Sequence, residues 1–123
     1  MINDKRTIRP TIATIEVLDE TSDEEKFQNL TLRPILKMQH ELLIAFFNHY
    51  VASKKIAFAE LTSLKKKETI ERIFKTDHLF KTELKGLIIG QFTVEEFDAY
   101  ATQAAAQNKR MITMTKQRLL STI

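Results

Sequence analysis

The sequence predicts an all-α protein, a bundle of four to five helices behind an extended N-terminal arm. Three observations carry that expectation. Apolar residues recur at helical spacing from Arg33 almost to the last residue. Glycine and proline occur only twice each among 123 residues, whereas an all-β chain needs turn residues every ~8–12 positions. Ser22 with Glu25, and Thr93 with Glu96, have the spacing of a capping box, a helix-start signal.

Residues 1–21 read as an extended or flexible arm, and residues 22–123 as the helical domain. In the arm, Ile8, Ile12, Ile15 and Val17 are β-branched, Thr7, Thr11 and Thr14 favour extended backbone, and Pro10 blocks a helix. A short helix is expected from Ser22, burying Phe27 and Leu30. Pro34 suits the first turn of the next helix, where a missing N–H costs nothing. That helix, about Arg33 to Ser53, places Leu36, Leu43, Phe47 and Tyr50 on one stripe, widened by Ile35, Leu42, Phe46, Ile44 and Val51. A helix apolar around most of its circumference is packed on several sides, so it is expected at the centre of the fold.

Thr62 or Ser63 can cap a helix running to about Thr76, with Leu64, Ile70, Ile73 and Phe74 inward. Asp77 can cap another, about His78 to Ile89, burying Phe80, Leu84, Leu87 and Ile88. Gly90 stands where a helix ends on a left-handed glycine. From Val94 the stripe Phe97, Ala101, Ala104, Asn108, Met111, Thr115 and Leu119 keeps one face, which predicts a single helix to Thr122. Such a helix is about 43 Å long, against a width of ~35 Å for a domain of this size. Its last turns should overhang the core, and overhanging apolar surface invites an identical helix in a two-fold pair. Ala104, Asn108, Met111, Thr115 and Leu119 are the expected interface of that homodimer, with a helix broken near Asn108 as the alternative.

Composition excludes several chemistries. The chain has no cysteine, hence no disulfide scaffold, thiol nucleophile or Cys-ligated metal. No apolar run approaches the ~20 residues that span a bilayer, and the N-terminus lacks the apolar core of a secretion signal. A cytoplasmic protein without a membrane partner is the expectation. His40, His49 and His78 are the candidate metal ligands. His40 precedes Glu41, but Ile44 stands where the second histidine of H-E-x-x-H belongs, and His40 and His49 leave opposite sides of one helix. His40, on the apolar face, reads better as a core imidazole with a hydrogen-bond partner. No cofactor is expected, and no nucleophile elbow or phosphate loop occurs.

The formal charge of +3 is unevenly spread, −4 over residues 1–25 and +7 over the rest. Lys65, Lys66, Lys67, Arg72, Lys75, Lys81 and Lys85 could present a surface to an anionic partner. They are interleaved with Glu68, Glu71 and Glu83 and lack aromatic side chains for base stacking, so a solvated helix face is the favoured reading over nucleic-acid binding.

The segments Gln28-Asn29-Leu30-Thr31-Leu32-Arg33-Pro34-Ile35-Leu36-Lys37, Leu84 through Glu96 and Asn108-Lys109-Arg110-Met111 resemble a family of short, all-helical bacterial proteins of uncharacterised function. The resemblance covers about residues 26–118. Some members carry the label glyoxalase, which implies a metal-dependent lyase. The glyoxalase fold uses βαβββ units with His and Glu ligands on strands, and this chain has neither pattern, so no catalytic residue is carried over. The expected function is a non-enzymatic interaction or assembly module. The alternatives are a glyoxalase-like lyase and a weak nucleic-acid binder.

Overall fold

A computed structural model describes residues 5–10 and 22–123. Among these residues the regular structure is all helical, with no strand. The helices are α1 (Asp23–Phe27), α2 (Arg33–Met38), α3 (His40–Ser53), α4 (Ser63–Thr76), α5 (His78–Ile89), α6 (Val94–Ala101) and α7 (Ala104–Leu120). A π-helical segment, Gln28–Leu32, joins α1 to α2 without interruption, so the described residues form six helical rods rather than four or five. Lys5–Ile8 is a 3-10 turn, not extended backbone, and Pro10 follows its end. The remainder of the expected arm, residues 11–21, lies outside the described residues.

The rods divide differently from the sequence expectation at three places, each for a physical reason. Pro34 does not begin a new helix but sits inside a continuous one. Its ring would crowd the carbonyl of Leu30 in a regular α-helix. The π segment relieves this, with the Arg33 N–H reaching back five residues to the Gln28 carbonyl. The expected central helix is interrupted at Gln39 (φ −91°, ψ 6°), which turns α2 into α3. The expected single C-terminal helix breaks at Thr102–Gln103, where Gln103 has φ −142° and ψ 35°. The break falls well before Asn108. It lets α7 fold back across the bundle, so no long overhang exists.

The core draws on every rod: Phe27, Leu36, Phe47, Phe74, Phe80, Tyr100 and Met111 are all buried in one cluster. Phe80 is its aromatic hub, with ring centroids 5.5 Å from Phe46, 6.2 Å from Phe47, 4.6 Å from Tyr50 and 5.4 Å from Phe74. Such pairs add to the area they bury. Three expected core residues lie outside it, with Leu30, Leu42 and Leu64 all exposed. On α6 the inward positions are Glu96 and Tyr100, while Phe97 and Ala101 face out, because the break at Thr102 frees α6 from the register of α7.

The helix caps follow the sequence closely. Thr62 and Asp77 accept from the Lys65 and Phe80 N–H groups at 3.2 and 2.9 Å. Thr93 and Glu96 make both bonds of a capping box. Ser22 accepts from Glu25 N–H at 3.2 Å. Gly90 is the exception, since it keeps right-handed backbone (φ −60°). The chain leaves α5 through two tight turns, Gln91 N–H to Ile88 O and Phe92 N–H to Ile89 O, and these need no left-handed residue. The positive φ belongs to Lys55 instead, at 58°.

Candidate functional site

Three places gather chemistry that local sequence does not connect. The first is the junction of the N-terminal segment with the α5–α6 turn. Arg9 donates to both carboxylate oxygens of Glu96, at 2.6 and 2.8 Å, and to the Gln91 carbonyl. Thr31, from the π segment, donates to the same carboxylate at 3.3 Å, and the Thr93 N–H donates at 2.9 Å. Lys5 binds the Gly90 and Phe92 carbonyls at 2.9 and 3.3 Å, at the electronegative end of α5. The Arg9 and Glu96 side chains are 4% and 10% exposed. Burial works against the ionised Glu96 carboxylate, but the Arg9 hydrogen bonds and charge, with Thr93 and Thr31, hold its pKa below the ordinary value. Ile8, Leu30, Val94 and Phe97 lie within two residues of this network, and all four remain exposed.

The second place is a cleft of about 270 Å³ between α3 and the start of α5, lined by Phe46, His49, Tyr50, Asp77 and Phe80 among others. The Tyr50 hydroxyl donates to Asp77, whose other oxygen caps α5. Burial first, then Asp77, pushes the Tyr50 hydroxyl up to about 12. The same bond, with the Phe80 N–H, holds Asp77 below its usual range.

The third is a groove of about 780 Å³ between α4 and α7, with Arg72, Lys75 and Lys116 around Phe74 and Ile112. Lys116 bridges Glu71 at 3.1 Å. Of the seven expected anionic-partner residues, Arg72 and Lys75 enter this groove. Lys65 pairs with Glu68 at 3.6 Å, and Lys66 lies 5.7 Å from the Phe58 ring centroid. Lys67 is exposed, while Lys81 and Lys85 are half-buried on α5.

Comparison with protein-family models, curated proteins and solved structures finds no match.

The three histidines are dispersed: His40 Nδ1 accepts from the Arg118 guanidinium at 3.2 Å, His49 edges the α3–α5 cleft, and His78 opens α5. Among the described residues, no three His, Cys, Asp or Glu side chains are grouped to hold a metal. No described helix is long and apolar enough to cross a membrane. The expected dimer surface requires a correction. Met111, Thr115 and Leu119 are at most 2% exposed, spent on the chain's own core once α7 folds back. Thr115 donates to the Met111 carbonyl at 2.8 Å. Asn108 accepts from Tyr100 at 2.6 Å, and Ala104 packs on the core. Sequence reasoning read Glu96 as a cap alone and gave Arg9 and Thr31 no role. Their separation of 65 to 87 residues from Glu96 leaves no local signal that could have paired them.

Proposed function

We propose that this chain is a non-enzymatic interaction module that acts in the cytoplasm and assembles as a homodimer, through the surface around Arg9 and Glu96 rather than through α7. The observation that carries the reading is the exposure of Ile8, Leu30, Val94 and Phe97, each next in sequence to a residue of the buried Arg9–Glu96 network. Large apolar side chains left exposed around a buried polar network suit a contact surface, and a second copy is the commonest partner for such a surface. Light scattering after size exclusion tests it. A dimer at tens of micromolar that Phe97→Glu returns to monomer supports the reading, and a monomeric wild type overturns it. Met111→Glu is unsuitable as a test, because a carboxylate there would be buried in the core.

A second reading, weak nucleic-acid binding, is favoured by the meeting of Arg72, Lys75 and Lys116 in one groove. Phosphate contacts are strongest at low salt, so the absence of DNA and RNA binding there removes it. Stoichiometric zinc or nickel in the purified protein would favour the glyoxalase-like alternative instead.

A further inference from the structure

The turn between α6 and α7 is built from residues that favour a helix. Thr102 keeps right-handed helical backbone (φ −75°, ψ −12°), and Gln103 departs from it at φ −142° and ψ 35°. No glycine or proline stands between Gly90 and the C-terminus, and Ala99, Ala101, Ala104, Ala105 and Ala106 surround the turn. Alanine is the strongest helix former, and the stripe from Phe97 to Leu119 runs through the turn at helical spacing. What holds the turn closed is tertiary. The Tyr100 hydroxyl donates to Asn108 at 2.6 Å across it. In a continuous helix these two residues stand about 12 Å apart along the axis, so the bond exists only when the turn is made. The rest of the hold is the packing of α7 on α3, α4, α5 and the π segment.

None of that packing requires α7 to belong to the chain on which it lies. Met111, Thr115 and Leu119 fill the core, Lys116 meets Glu71 at 3.1 Å, and Gln107 donates to the Glu24 carbonyl at 3.1 Å. The α7 of a second copy restores all of these unchanged. Straightening the turn gives one helix from Val94 to Leu120, about 40 Å long, against a domain width of ~35 Å. Its second half then leaves its own core and uncovers the bed in which α7 lay. Within one chain the turn is needed to bury both α6 and α7, whereas two chains bury both without it. The exchange loses the Tyr100–Asn108 bond and gains regular helical backbone bonds through Thr102 and Gln103. Trading an identical element is a low-cost route to a dimer.

We propose that Thr102–Gln103 is a hinge, and that its straightening lets two copies of this chain exchange α7, each packing its last helix into the other's core. The exchange is separate from the surface around Arg9 and Glu96, whose hydrogen bonds all join residues before Thr102. The test therefore uses Phe97→Glu, which removes that surface contact. Exchange requires α7 to leave the core, so it is brought about by unfolding in urea and refolding at high concentration, not by concentrating folded protein. An equal mixture of unlabelled and heavy-nitrogen-labelled chains is refolded in this way and separated by size exclusion. Carbodiimide then joins the Lys116 and Glu71 side chains, and mass spectrometry reads which isotope each half of the joined peptide carries. In an exchanged dimer the two halves come from different chains. In a monomer, or in a dimer formed through another surface, both come from one. Mixed peptides are expected in the dimer fraction. Glycine in place of alanine weakens a helical position about fivefold and each dimer has two hinges, so Gln103→Ala should dimerise more tightly than Gln103→Gly by about tenfold or more. Tyr100→Phe, which keeps the ring but frees Asn108, should raise the dimer fraction. Circular dichroism confirms that each variant is folded. Single-isotope peptides at every concentration, or equal dimer yields from Gln103→Ala and Gln103→Gly, overturn the proposal.

Discussion

The two ends of the bundle are held together by different physics. Around Phe80, α3, α4 and α5 meet through five aromatic rings, and the polar atoms there lie at the rim, where Tyr50 meets Asp77. At the other end the N-terminal segment, the π segment and α6 meet through the buried Arg9–Glu96 pair. The Phe27, Phe92 and Tyr100 rings sit beside it, with centroids 5.5 and 5.6 Å apart. An apolar junction tolerates small displacements, because dispersion has no direction. A buried bidentate ion pair does not, because removing one partner strands a charge. The aromatic end should therefore supply more of the stability, and the polar end more of the positional definition.

The largest expected effect lies at the aromatic end. Phe80→Ala should cost about 4 kcal/mol in urea unfolding, by lost contacts and a cavity. A cost below 1 kcal/mol would remove Phe80 from its place as hub. At the polar end, Arg9→Ala should cost about 3 kcal/mol, because the Glu96 carboxylate stays buried without its cation. The two ends also differ in their response to acid. Glu96 titrates below its ordinary 4.5 in the folded chain, so its contribution is present above pH 4.5 and is lost as pH falls through the folded value. Arg9→Ala should flatten this acid dependence, whereas Phe80→Ala should leave its slope unchanged. Added salt should affect the pair little, since buried charges are weakly screened.

A smaller effect sharpens the contrast at the rim of the aromatic end. Asp77→Ala removes the α5 cap and should cost about 1 kcal/mol. Tyr50 ionises near 12 rather than 10.0. Its contribution is complete below pH 10 and disappears as pH rises toward 12, because the unfolded chain ionises first. Absorbance titration of Asp77→Asn should show this tyrosine moving back toward 10. Smallest of all, Lys65→Ala loses an exposed pair at 3.6 Å and should change stability by less than ~0.5 kcal/mol.

What could be read from the sequence follows the same division. The limits of α4 and α5, their caps at Thr62 and Asp77, and the burial of Ile70, Phe74, Phe80 and Leu84 all follow from periodicity and capping, which act within a few residues. The α6–α7 break was not legible. The apolar stripe from Val94 to Leu119 is continuous, and nothing in Thr102–Gln103 breaks a helix by its own propensity. Burying Glu96 and Tyr100 on α6 together with Met111 and Thr115 on α7 demands the turn, and that is a tertiary requirement. Of the candidate sites, the basic residues of α4 were visible as a run. Their division between a groove, a carboxylate partner and a ring face depends on where α7 lies. His40 was expected to have a hydrogen-bond partner. That the partner would be Arg118 lay beyond any local pattern.

The Arg9–Glu96 pair also sets an order of events during synthesis. Arg9 is translated 87 residues before its partner. At ~5–20 residues per second that interval is roughly 4–17 s. Throughout it the guanidinium has no Glu96 to meet, while the helices containing Phe47, Phe74 and Phe80 are already available to condense. The segment around Arg9, translated well before α6, is thus fastened only after α6 is made, and a nascent chain stalled before Glu96 should keep Arg9 open to proteolysis.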